Sequence, residues 1–413
     1  MKYLAVLGRQ PEISIAELSS ILGGSCRLLS SPKILLRKHF GGPPPQSSPA
    51  HVEFISDIDL DINRFGGVLK LAIEMNEKPI DYLAKLPEGK ITIGVSDYSK
   101  KASRKSAQSE ALKLKKILVR HGRSVRVVEN KDAVLTTATS LHNGLSGRNE
   151  RKVELIKVED EWYRVIGVQD VDAYAKRDQA RPARDAKVGM LPPKLAQILI
   201  NLCGFLEPGS VVLDPFCGTG VVLQEALLMG YKAYGTDLNE RMVDYSRKNL
   251  EWLKSKYDSF SSPLARPSLR GARSAVAGLA TANMLSKESY ILFQADATSF
   301  TWQQPLDAVA CEGYLGKPFS KIPNDMELKE QKQECGSIVL GFLKNLEKQI
   351  RNDVPVVIAV PAWLRFDDSY ERLDILDEIE KLGYNVNNKS REGLLYHRPG
   401  QVVARDIIIL RKK

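Results

Sequence analysis

Long hydrophobic runs are absent from this 413-residue chain: no stretch approaches the roughly 20 uncharged apolar residues that a membrane-spanning helix needs, so no membrane association is expected. The first apolar run, Tyr3 to Leu7, is short and closed by Gly8-Arg9, which argues against a signal peptide. Cysteine is scarce, five residues at positions 26, 203, 217, 311 and 335, an odd number without close metal-like pairing. Neither a disulfide framework nor a zinc knuckle is supported, and no metal is expected; a reducing cytosol, hence a cytoplasmic location, fits best. With 43% apolar and 27% charged residues the chain is neither disordered nor fibrous. At roughly 150 residues per domain its length suggests two or three domains.

What is present is positive charge, unevenly placed. Lys and Arg number 60 against 50 Asp and Glu, a net charge of +10. Between Lys85 and Lys187 stand 23 Lys and Arg against 14 Asp and Glu, so this stretch carries nearly the whole excess. A basic module joined to a nearly neutral one points to phosphate-bearing partners, because neutralising phosphates releases condensed counterions. A merely solvated basic face is the plainer alternative.

The opening MKYLAVLGRQPEISIAELSSILGG reads as a buried strand, a glycine turn and a helix stopped by Gly23-Gly24. The Gly/Pro/Ser tract from Gly41 to Ala50 reads as an exposed loop. Lys90 to Val95 alternates like a strand, and Ser106 to His121 predicts a basic helix with Leu112, Leu114, Ile117 and Leu118 on its buried side. Ser124 to Val128 predicts a strand, and Val153 to Val158 with Trp162 to Val168 a hairpin, giving a compact α+β module before residue 172. The charged segment 173–190 reads as a linker. From Leu195 onward, apolar strand candidates (Val211 to Leu213, Ala233 to Thr236, Ile291 to Phe293, Leu306 to Ala310, Val356 to Val360, Ile407 to Leu410) alternate with helical stretches, the pattern of a doubly wound α/β domain. It is interrupted at about 257–288 by a Ser/Ala/Pro/Gly-rich insertion carrying Arg266, Arg270 and Arg273.

The strongest chemical signal is VVLDPFCGTG, Val211 to Gly220. A strand ends at Asp214, and Gly218 and Gly220 let the backbone turn and approach a ligand without a Cβ in the way. The glycines alone would equally serve a dinucleotide. Two features separate the options. An acid just before the glycines suits the ammonium of an amino-acid-bearing cofactor such as S-adenosylmethionine better than a pyrophosphate. Asp237 in YGTDLN ends the next strand, where a carboxylate can accept both ribose hydroxyls, and Asp296 in ILFQADA follows a third strand, where it can accept from the adenine amine. Singly, each acid is as readily a helix cap. Together they mark the carboxyl ends of successive strands, where parallel sheets bind ligands. Cys217 inside the turn is read as a small side chain beneath the cofactor rather than a nucleophile, since no His is near it in sequence.

DPFCGTG followed by GTDLN resembles the first two motifs of the class I S-adenosylmethionine-dependent methyltransferases. VQDVDAYAKRDQARPARDAKVGMLPPKLAQILINL, Val168 to Leu202, is similar to the linker and entry helix that join a THUMP domain to the catalytic domain in the archaeal and eukaryotic tRNA guanine-10 N2-methyltransferases. YLAVLGRQPEISIAEL and HRPGQVVARDIIILRK resemble that family's beginning and end. The resemblance implies an N-terminal α+β, ferredoxin-like subdomain over 1–75, a THUMP RNA-binding domain over 76–172, a linker over 173–190 and a Rossmann-like class I methyltransferase domain over 191–413. It further implies S-adenosylmethionine as cofactor and tRNA as partner, the methyl group going to guanine N2, at position 10. The need for a small activating subunit stays open.

In that family a D/N-P-P-Y/F motif after the fourth strand receives the amine. Here the matching place reads Cys311-Glu312-Gly313-Tyr314-Leu315-Gly316, which puts Glu312 at the family's Asp and leaves both prolines out. Glu312 and Tyr314 are therefore the expected catalytic pair, with Tyr314 stacking the base from a shifted position. For RNA, the expected contacts are Lys113, Lys116 and Arg120 on the basic helix, Arg123 and Arg126 after it, and Lys176, Arg177 and Arg181 in the linker. Two other readings stay open: an inactive tRNA-binding protein that keeps the fold, and an amino-methyltransferase for adenine in DNA.

Overall fold

The computed structural model describes residues 1–23, 26–28, 50–57, 60–185, 190–257, 289–388 and 393–413. The expected insertion with Arg266, Arg270 and Arg273, and the tract before Ala50, lie outside the described residues. The chain divides into two compact units, one of Met1–Ser14 with Leu22–Ala173, the other of Ile15–Ile21 with the residues from Tyr174 onward.

The first unit is built on one sheet of β1 (Lys2–Leu7), β2 (Cys26–Leu28), β3 (His51–Ser56), β4 (Val68–Glu74), β5 (Ile91–Asp97), β6 (Val125–Val127), β7 (Lys152–Val158) and β8 (Glu161–Val168), in the order β2-β3-β1-β4-β8-β7-β5-β6. Pairing is antiparallel except at β5, which runs parallel to β6 and β7. A parallel pair needs a crossover, and the basic helix Arg104–Arg120 provides it between β5 and β6. Ser103 caps that helix, exchanging hydrogen bonds with Ser106. Its buried stripe is Ala107, Ala111, Leu114 and Leu118, spaced three or four apart. Leu112 and Ile117 were expected on that stripe but stand 50% and 38% exposed, because the stripe runs through Ala107, Ala111, Leu114 and Leu118 and each of the two sits one residue to its side. Between β4 and β7, buried Lys70 donates to Glu154 at 2.5 Å and to the Leu135 carbonyl. β4 pairs with β8, so residues on either side of the expected 75/76 boundary share one sheet.

In the second unit the strands are β9 (Val211–Asp214), β10 (Lys232–Asp237), β11 (Tyr290–Gln294), β12 (Ala308–Glu312), β13 (Pro355–Leu364), β15 (Tyr384–Val386) and β17 (Val403–Lys412), in the order β11-β10-β9-β12-β13-β17-β15. Short strands β14 (Tyr370–Arg372) and β16 (Leu395–Tyr396) flank β13 and β17. β9 to β13 are mutually parallel and β17 is antiparallel to β13. This is a doubly wound, Rossmann-like α/β sheet. The chain winds from β9 outward to β11, then returns to lay β12 on the other side of β9. The switch point, where such sheets open a crevice, is therefore at the carboxyl ends of β9 and β12. β12 starts two residues later than the sequence suggests, pairing β9 only from Ala308, which makes Glu312 its last residue. The core beneath it holds Trp363, Phe342, Tyr384 and Tyr234, and Trp363 is fully buried.

Segment 173–190 is not simply a linker. Val171–Gln179 is helical, with Tyr174 and Arg177, three positions apart, buried and the Arg177 side chain paired with Glu225. Among the described residues no helix is long and apolar enough to cross a membrane.

Candidate active site

The turn after β9 is built by its glycines. Gly218 and Gly220 have φ of +51° and +80°, left-handed conformations that other residues rarely adopt. A Cβ at Gly220 would come within 2.9 Å of Ser246 Oγ, whereas one at Gly218 would meet nothing nearer than the Phe216 carbonyl at 3.9 Å, so Gly218 faces open space that a ligand can fill. Ser246 and Asn249, on the helix Glu240–Tyr257, hold the turn from behind: Ser246 Oγ donates to the Gly218 carbonyl at 2.8 Å and Asn249 Nδ2 to the Thr219 carbonyl at 2.8 Å. Neither residue was singled out from sequence, where one Ser and one Asn in a charged helix look like any others.

Asp214 ends β9 buried, with Oδ1 accepting the Phe216 N–H at 3.2 Å. Burial pushes its carboxyl well above the ordinary range, and the charges of Asp237 and Glu312 push it the same way, so all three carboxyls share one electrostatic neighbourhood. Asp237 Oδ2 accepts the Gly218 N–H and Oδ1 the Asn239 N–H, both at 2.9 Å. Burial raises this carboxyl as well, against those two donors. Cys217 is buried and its thiol is pushed far up by burial and by Asp214 and Asp237, which makes a nucleophilic thiolate untenable. Asp296 lies two residues beyond β11, exposed, with Oδ1 accepting from the Thr298 N–H and hydroxyl at 2.8 and 2.7 Å. It thus serves locally as a turn cap and keeps Oδ2 for another donor.

Glu312 stands beside Asp214 at the switch point, its side chain 16% exposed. Its Oε1 accepts from Arg405 Nε, a partner the sequence did not suggest. Tyr314 is half-buried, its ring packed on the core and its hydroxyl beside Glu334. The loop that lacks the expected prolines is held by other means: Gly313 N–H donates to the Ala359 carbonyl at 2.9 Å, and buried Gln331 accepts the Lys317 N–H at 2.7 Å.

Of the expected RNA contacts, Lys113, Lys116, Arg120 and Arg126 are exposed on the first unit, with Lys113 paired to Glu110 at 3.0 Å and Arg126 donating to Asn143. Arg123 is half-buried and donates to the carbonyls of Ala84, Leu86 and Pro87, closing the end of the helix Pro79–Ala84. Lys176 is exposed. Arg177 and Arg181 must be withdrawn. Arg177 is buried under Tyr174, bidentate to buried Glu225 at 2.6 and 3.2 Å, and the Arg181 side chain has no accessible surface. In the amphipathic helix Val171–Gln179 and just after it, these two positions face inward while Lys176 faces out. Among the described residues no cluster of His, Cys, Asp and Glu could hold a metal ion.

A family described as DNA methylase matches residues 97–248. The tRNA (guanine(10)-N2)-dimethyltransferase of Methanothermobacter thermautotrophicus is 46% identical over 76 residues, 18% of this chain and 22% of that protein. The enzyme of the same name from Pyrococcus abyssi is 47% identical over 62 residues, 15% of this chain and 18% of that protein. The matched stretches thus span about a fifth of the length of these curated relatives. TrmN from Thermus thermophilus, a solved structure, covers 100% of both chains at 16% identity with a TM-score of 0.43.

Proposed function

We propose that the protein is a cytoplasmic, S-adenosylmethionine-dependent methyltransferase that modifies the exocyclic N2 of a guanosine in tRNA, at position 10. The observation that carries this reading is the placement of Asp214, Asp237 and Glu312 at the carboxyl ends of β9, β10 and β12, beside a glycine turn hydrogen-bonded to Asp237 and with open space in front of Gly218. Burial of Asp214 and part-burial of Asp237 oppose their ionisation, so a cationic, hydroxyl-rich ligand is what favours their charged form, in which they would repel a pyrophosphate.

In this reading Asp214 faces the cofactor's ammonium, Asp237 its ribose hydroxyls through the lone pairs its two backbone donors leave, and Asp296 its adenine amine. When bound, S-adenosylmethionine supplies a methyl group that passes to the amine nitrogen as the carbon–sulfur pair returns to sulfur, the amine's proton leaving to solvent. Glu312 accepts a hydrogen bond from the amine and draws its lone pair out of conjugation with the ring. Tyr314 offers an aromatic face to the extruded base. The first unit serves as a THUMP-type RNA-binding module, with Lys113, Lys116, Arg120 and Arg126 on tRNA phosphates, and Lys176 of the second unit is a further phosphate contact. The relatives named for guanine-10 N2-dimethylation support tRNA as substrate, and a small activating subunit remains a candidate partner.

The DNA methylase match favours one rival, an adenine amino-methyltransferase acting on DNA. Methyl transfer from tritiated cofactor to unmodified tRNA and to duplex DNA, followed by nucleoside analysis, decides between them. N2-methylguanosine from tRNA supports the proposal; N6-methyladenine from DNA supports the rival, and tRNA binding without transfer supports an inactive RNA-binding protein.

A further inference from the structure

The carboxyl edge of the second unit gathers acidic groups, and at β12 a cation, Arg405, answers one of them. Glu312 ends β12 and Arg405 lies near the start of β17, opposite Pro361 on the intervening β13. The guanidinium crosses β13 to reach the carboxylate, and both side chains are largely withdrawn from water, 5% and 16% exposed. The Arg405 Nε–H takes Glu312 Oε1, and Glu312 Oε2 has no hydrogen bond among the described residues. Among the described residues, Asp214 on β9 and the Cys311 thiol on its own strand also neighbour Glu312, and its charge pushes both toward their protonated forms.

We infer that Arg405 is the positioning residue of the acceptor loop: it fixes one oxygen of Glu312 and opposes the effect of burial, so that the other oxygen is available to the substrate amine. This rests on the function proposed above and deepens it. A protonated Glu312 would offer an O–H where the amine needs an acceptor. Burial holds the Glu312 carboxyl above its ordinary range, and the ion pair with Arg405 is the influence that works the other way. It also stands in for the missing prolines, since a glutamate with one extra methylene and a glycine after it needs an external anchor to hold one geometry.

The test uses the full chain with Arg405→Gln and Arg405→Lys, assayed for methyl transfer across pH together with cofactor affinity by calorimetry. Arg405→Gln is expected to lower kcat at neutral pH by about tenfold or more. Cofactor Kd should stay within about threefold, because Glu312 accepts from the amine and not from the cofactor. The acid limb of the kcat profile should move to higher pH, since removing the cation lets the carboxyl hold its proton longer, and Arg405→Lys should restore most of the rate. Unchanged kcat in Arg405→Gln, or a fall equal at every pH with no rescue by Lys, overturns the inference. Carbon-13 NMR of labelled glutamate, with the Glu312 signal assigned by its loss in Glu312→Gln, provides a readout without turnover. That carboxyl should titrate at higher pH in Arg405→Gln than in the wild type, and identical titration overturns the inference. If the wild type transfers no methyl group to tRNA, the proposed function fails while this titration still decides the pairing.

Discussion

The backbone N–H of Gly218 donates to Asp237 Oδ2 across 2.9 Å, so the glycine turn after the first strand and the carboxylate after the second form one hydrogen-bonded unit. A hydrogen bond to a charged group contributes about 1.5–3 kcal/mol, and the same carboxylate is assigned to the ribose hydroxyls. Asp237→Ala should therefore weaken S-adenosylmethionine binding by at least about tenfold through both losses. Calorimetric titration checks this; affinity equal to wild type would remove Asp237 from the cofactor site.

Asp214 carries a conflict between stability and binding. Folding raises its carboxyl, so between the ordinary carboxylate range and the raised one the unfolded chain binds fewer protons than the folded one, and stability falls as pH rises through that window. Asp214→Asn removes this term and should stabilise the free protein at pH 7, by about 1 kcal/mol, while abolishing measurable cofactor binding. Cofactor affinity of the wild type should itself decline as pH is lowered through the raised range, because a protonated Asp214 no longer pairs with an ammonium. Denaturant titration and calorimetry on one preparation test both halves.

Arg177 and Glu225 form a buried, bidentate pair. Removing one partner of such a pair leaves an uncompensated buried charge at a cost of about 3–5 kcal/mol. Arg177→Met should accordingly lower thermal stability sharply, and Arg177→Met with Glu225→Leu should recover much of it. The folded fraction should bind tRNA as the wild type does. A normally stable Arg177→Met with weakened tRNA binding would return this residue to the RNA surface.

Lys113 and Lys116 stand exposed on the crossover helix of the first unit. Replacing both with Glu should reduce tRNA affinity at low salt and flatten its salt dependence, each lost phosphate contact taking about one unit from the log–log slope. Methyl transfer at saturating tRNA should change little. An unaltered slope would mean that this face is simply solvated.

Much of the arrangement can be read locally. The strand candidates of the second unit fall on β9 to β13 and β17, and Asp214 and Asp237 lie at strand ends because an apolar run that stops at an acid before a glycine turn is a local pattern. The helix after β5 is equally legible, but its buried side is not: Ala107 and Ala111 pack inward while Leu112 and Ile117 do not, since the faces of a helix are assigned by its neighbours and small residues carry little hydropathic signal. The linker misleads for a related reason. Arg177 looks like an exposed basic residue until Glu225, 48 positions later, is folded against it.

The sequence by itself therefore determined which segments become strands of the second sheet, where the backbone must turn left-handed, and that Asp214 and Asp237 close two of those strands, because each depends on residues a few positions apart. Only the tertiary structure decided which charges face water and which face each other. Arg405 reaches Glu312 across 93 positions because β17 runs antiparallel beside β13, and that pairing is a property of the closed sheet, which no local pattern encodes.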